Sequence, residues 1–67
     1  VKGVVARARF HAFKLQSDFA RQMAPFVATA ASRGFITNYT DGQIHDCWVV
    51  TVRGLQFLED ENANLTD

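Results

Sequence analysis

Sixty-seven residues make one domain, near the lower size at which an apolar core holds without metals or disulfides, and they exclude a second. With 48% hydrophobic residues and six Phe the composition is that of a packed globular unit, and no apolar run of about 18 residues is present to span a membrane. The net charge of zero hides an asymmetry: residues 1–40 hold six of the seven Lys and Arg against one acid, Asp18, while residues 41–67 hold six acids against Arg53, so the halves carry +5 and −5.

Val4 to Leu15 supports two readings. Its Ala and Arg favour helix, yet Val4, Ala6, Ala8, Phe10 and Ala12 also alternate with Arg7, Arg9 and His11 as in a strand. We favour helix over about 4–15, which places Arg7, His11 and Lys14 on one face and turns Val4, Ala8, Ala12 and Leu15 inward. Ser17 then offers an N-cap, and Phe19, Met23, Phe26, Val27 and Ala30 recur at helical spacing. The unbroken phase predicts one helix over about 18–33, kinked at Pro25 and stopped by Gly34.

The turn chemistry of Thr40-Asp41-Gly42-Gln43 lies between two extended stretches, predicting a β-hairpin over about 35–39 and 45–51. Thr51 stands where a hydroxyl caps a last helix over about 52–60, with Leu55 and Leu58 at helical spacing. Residues 61–67 are polar and without period, the mark of a fraying tail. The whole is an α+β chain of 1–67 in a single domain.

Three pieces occur in a telling order: Gly34-Phe35-Ile36, the hairpin to Val50, and Val50-Thr51-Val52-Arg53-Gly54-Leu55-Gln56-Phe57-Leu58. In this the chain resembles a winged helix-turn-helix domain, whose recognition helix ends in a Gly-apolar-apolar step before a two-stranded wing and a helix opened by Thr-x-x-Gly. The resemblance implies that Ser17 to Arg33 is the recognition helix, Leu15 to Ser17 the turn and Val4 to Lys14 the supporting helix, and that the function is DNA binding, as in a transcriptional regulator. The same elements also assemble as a β-α-β-β-α plait if Val4 to Phe13 is a strand beside the hairpin. Gly34-Phe35-Ile36 with Tyr39 is, in addition, similar to the N-terminal RNA-binding portion of a small-subunit ribosomal protein.

Under the winged-helix reading Arg21 and Gln22 face the major groove, where Arg pairs with guanine and Gln with adenine. Thr29, Arg33, Arg7, His11 and Lys14 are the candidates for phosphate contact, and Asn38, Tyr39 and Gln43 are those of the hairpin. The bland alternative for each is a solvated helix face or, for Tyr39, packing over the hairpin. Asp41 and Asp46 make the hairpin itself a poor phosphate contact, so the grip is expected from the helices before Gly34.

Three His and Cys residues, His11, His45 and Cys47, are too few for a structural zinc site, and His45 with Cys47 lacks a third orienting group for nucleophilic chemistry. We therefore expect no enzyme activity, no metal and no cofactor. A lone cysteine makes no internal disulfide, so a cytoplasmic or otherwise intracellular setting is expected. The expected partner is DNA, with RNA the other candidate polymer, bound by a homodimer or by a larger assembly. A protein-interaction or assembly module, one subunit of a larger complex, is the alternative function.

Overall fold

The structure is a computed structural model that describes the backbone of residues 1–66 and the side chains of residues 1–61. It is an α+β fold of four helices and one antiparallel sheet: α1 (Lys2–Phe10), β1 (Phe13–Lys14), α2 (Asp18–Gln22), α3 (Ala24–Ser32), β2 (Ile36–Thr40), β3 (Gln43–Val50) and α4 (Val52–Thr66). The strands lie in the order β1-β3-β2.

The first segment is helical, as favoured, over a shorter span than expected. Helix α1 buries Val4, Val5 and Ala8 and ends at Phe10, with His11 extended at its C-cap (φ −149°, ψ 130°). Arg7 and Arg9 fall in its last turn, where cations oppose the negative end of the helix dipole. The predicted helix to residue 15 therefore stops five residues early. Beyond Phe10 the chain extends so that Phe13, 4% exposed, enters the core, while Ala12 is left exposed. Phe13 and Lys14 pair antiparallel with Trp48 and Cys47. A strand thus lies beside the hairpin, as the plait required, but it is two residues long and follows a helix.

The expected single helix over 18–33 is two. Ser17 caps α2 as anticipated, its Oγ accepting from the Ala20 amide at 3.2 Å. Met23 then leaves helical geometry (φ −103°, ψ 20°), and Pro25 lies in the first turn of α3. Proline has no N–H to carry the α2 ladder onward and suits a helix start, so a new helix begins instead of a kink. At the far end Gly34 (φ +79°) takes the left-handed conformation. The Gly34 and Phe35 amides donate to the Ala31 and Ala30 carbonyls, closing a Schellman cap.

The hairpin turns on Asp41 (φ 54°) and Gly42 (φ 79°). Two positive φ values in a two-residue loop make the mirror-image turn that matches strand twist. The strands reach closer to this turn than predicted, Thr40 standing opposite Gln43. Pairing is interrupted further in: Ile36 and Thr37 face Val50 and Val49, then Tyr39 faces Ile44, so two steps on β2 span five on β3. Within this bulge the Thr37 hydroxyl accepts from the Tyr39 amide at 3.1 Å, satisfying a donor that the ladder does not.

Chain entry into α4 is locked against the end of α3. The Thr51 hydroxyl contacts the Gly34 carbonyl at 2.6 Å and the Phe35 carbonyl at 3.0 Å, and accepts from the Gly54 amide at 3.0 Å as the expected cap. A Cβ on Gly54 would stand 2.2 Å from the Phe35 oxygen, so only glycine permits this approach. Helix α4 continues to Thr66, past the end expected near residue 60.

The core joins Val4, Val5 and Ala8 of α1 to Phe13, Ala20, Val27, Ala30, Ile36 and Leu58. Phe26, expected inside, is 47% exposed. Among the described residues no helix is long and apolar enough to cross a membrane.

Candidate nucleic-acid interface

Every Lys and Arg side chain is exposed: Lys2, Arg7, Arg9, Lys14, Arg21, Arg33 and Arg53. Among the described residues the one ion pair is Arg21 with Asp18, at 3.8 Å and with both side chains largely in solvent, so screening leaves it little strength. Five of the six cations in residues 1–40 therefore carry charge that no ion pair among the described residues offsets.

Arg7, His11 and Lys14 do not form one ridge. The helix that would have aligned them ends before His11, which lies in the exposed connection, and Lys14 is on β1. Arg7 instead lies over the Phe19 ring, 5.6 Å from its centroid, and Phe19 meets Phe13 edge-on at 5.0 Å. A cation over an aromatic face keeps its charge while its orientation is set. Lys14 borders a shallow groove of about 350 Å³ with Leu15, Gln16 and Asp46. An acid of the hairpin is therefore close to this cation.

Arg21 and Gln22 are exposed, but on the short α2 and not on α3. The Arg21 guanidinium donates to the Gln16 carbonyl at 2.8 Å, folding it back toward the turn before α2. Helix α3, APFVATAAS, carries no charged or amide side chain at all. Its half-buried Thr29 donates its hydroxyl to the Pro25 carbonyl at 3.0 Å. Arg33 is exposed at the C-cap of α3. This set suits contact with phosphate far better than the bidentate reading of base edges.

On the hairpin Asn38 is half-buried in the bulge and Gln43 is exposed beside the turn. Tyr39 is 56% exposed and stands directly opposite Ile44, which is 77% exposed. The Thr40 hydroxyl and the His45 Nε2 hydrogen-bond across the tip. No Lys or Arg lies between Gly34 and Val52.

Compared with known proteins, the chain matches no family model, no curated protein and no solved structure. Among the described residues no three His, Cys, Asp or Glu side chains are grouped to hold a metal.

The Cys47 thiol is half-buried opposite Lys14. Desolvation, then the hydrogen bond and negative charge of Asp46, push it above the usual thiol range, and Lys14 opposes them. A thiol held protonated is a poor nucleophile.

Two features escaped the sequence reading. The Tyr39–Ile44 pair needed the register, which the bulge shifts. The second is an open groove of about 450 Å³ lined by Phe35, Val52, Arg53, Gln56, Phe57 and Asp60, in which the Phe35 and Phe57 rings stack with centroids 4.4 Å apart. Its sequence signal was Val52-Arg53-x-x-Gln56-Phe57-x-x-Asp60, a mixed stripe along α4.

Proposed function

We propose that this chain is a non-enzymatic, winged-helix-like module that binds nucleic acid, DNA in the first place, through backbone phosphates, and that it regulates transcription by occupancy. The observation that carries the reading is the segregation of charge. Five exposed cations without ion-pair partners among the described residues belong to the first 40 residues, and the acids, Asp18 apart, belong to the remainder. The order of helices before a hairpin and one helix after it supports the reading, although the expected recognition helix is two helices and a short strand precedes them. Lys2, Arg9, Lys14 and Arg33 supply the phosphate contacts, with Arg7 held in place by Phe19. Arg21 reaches bases only by giving up its bond to Gln16, so sequence discrimination is shallow.

The test is the affinity of the intact chain for a mixed-sequence duplex as salt is varied. Each phosphate contact contributes about 0.9 to the slope of log affinity against log salt, so Arg9→Ala and Arg33→Ala each lower the slope by about that much. Absence of binding near 50 mM salt, or a slope indifferent to both substitutions, refutes the reading.

The acidic, apolar hairpin tip supports a second reading, a protein-interaction module. In that case duplex affinity is absent and Tyr39→Ser or Ile44→Ser removes the binding of a protein partner.

A further inference from the structure

The hairpin tip and the α4 groove have opposite shapes and complementary chemistry. The tip is a knob: Tyr39 and Ile44 stand side by side at directly opposed positions, and Asp41 and Asp46 add negative charge, Asp46 with Lys14 of β1 close by. The groove is a wide, open depression with the stacked rings of Phe35 and Phe57 in its lining. Val52, 80% exposed, forms part of its wall, and Arg53 supplies an exposed cation without an ion-pair partner among the described residues. At about 450 Å³ the groove is of a size to receive two side chains.

One chain cannot bring the two together. Phe35 lies just before β2 and Tyr39 four residues further along it, so an extended strand carries the tip roughly 13 Å away from its own groove. We propose that the occupant is a second copy of this chain: Tyr39 and Ile44 of one copy seat against Phe35, Val52 and Phe57 of the other, with the tip acids toward Arg53. Asp60 lines the groove too and repels those acids, which orients the knob with its acids away from Asp60. Two tips and two grooves close a twofold-symmetric dimer, in which each contact is repeated. The knob is small, so the dimer is a weak one that forms at high concentration. The inference stands independently of the nucleic-acid reading.

Sedimentation velocity of the full chain, from micromolar to millimolar concentration, tests it. The wild type is expected to pass from monomer to dimer, and Ile44→Asp and Val52→Asp to raise the dissociation constant at least about tenfold each, the loss of a buried apolar anchor. Both positions are largely exposed, so circular dichroism should show the fold intact. An equimolar mixture of the two variants keeps one sound tip and one sound groove, and should dimerise more tightly than either variant alone. A wild type monomeric throughout, a dimer indifferent to both substitutions, or a mixture no better than its components overturns the proposal; mass that rises without limit overturns the reciprocal closure.

Discussion

The Thr51 side chain and the Gly34 carbonyl, seventeen residues apart in sequence, meet at 2.6 Å. One hydroxyl thereby ties the end of α3 to the start of α4 and, by accepting from the Gly54 amide, caps that helix. Thr51→Val keeps the shape and removes both functions. It should lower stability by about 1–2 kcal/mol, whereas Thr51→Ser should recover most of the loss. Urea denaturation should show a lower midpoint with unchanged slope in the valine variant.

Three glycines should respond to alanine in three ways. Gly54→Ala forces a methyl group onto the Phe35 oxygen and the Val50 side chain, at 2.2 and 2.8 Å, and should cost about 1–3 kcal/mol. Gly34→Ala meets the Arg53 side chain only at ordinary contact distance, but its φ of +79° costs about 1–2 kcal/mol. Gly3→Ala meets nothing within 4 Å and lies in α1, so it should stabilise by about 0.5 kcal/mol. Thermal melts of the three variants check the order.

Two phenylalanines should separate sharply. Phe13, 4% exposed and edge-on to Phe19, should cost about 3–5 kcal/mol on truncation to Ala. A chain of 67 residues has only about 3–10 kcal/mol in all, so Phe13→Ala should remove about a third of it or more and, toward the lower figure, unfold the chain at room temperature. Phe26→Ala, at a position 47% exposed, should shift stability by less than about 1 kcal/mol. Far-ultraviolet circular dichroism at room temperature distinguishes them.

The Cys47 thiol should alkylate slowly with iodoacetamide at neutral pH, because desolvation and Asp46 keep it protonated. Its rate should rise only above the ordinary thiol titration near about 8.5. Asp46→Asn removes a charge that raises the titration and should speed the reaction; Lys14→Ala removes the charge that lowers it and should slow it. Rates that move together in the two variants contradict this electrostatic account.

What was legible in the sequence was its punctuation. Ser17, Gly34, Asp41-Gly42 and Thr51 each cap or turn the chain within a few residues of themselves, and each does so in the structure. The split at Met23 was harder to read because Pro25 begins a helix as readily as it bends one, and the apolar phase runs through either arrangement. Burial was less legible still. Periodicity says which side chains share a face but not whether a partner covers it, and in so short a chain Phe10 and Phe26 are left uncovered. Strand β1 was out of reach, because two residues carry no period and their partners lie more than thirty positions away.

For the candidate interface, the charge imbalance was visible at once, but its arrangement was not. The ridge of Arg7, His11 and Lys14 depended on a helix that stops at Phe10, and the reading role of Arg21 and Gln22 depended on their sharing a helix with Thr29. The bond from Arg21 to the Gln16 carbonyl had no signature in residue type or spacing.

No residue of β3 has a register partner on both sides: Val49 and Val50 pair with β2, Cys47 and Trp48 with β1, and Gln43 and Ile44 with β2 again. Load is therefore passed along this strand in series. Fraying at the turn has no shared rung through which to reach the body, and the outermost rungs form a separate cooperative unit joined to the core by covalent chain and the Thr37 bulge. In native-state amide exchange the Tyr39, Ile44 and Gln43 protons should open on a local scale while Val49 and Val50 wait for the whole domain. The protein can thus lend out the end of its longest strand and keep its interior closed.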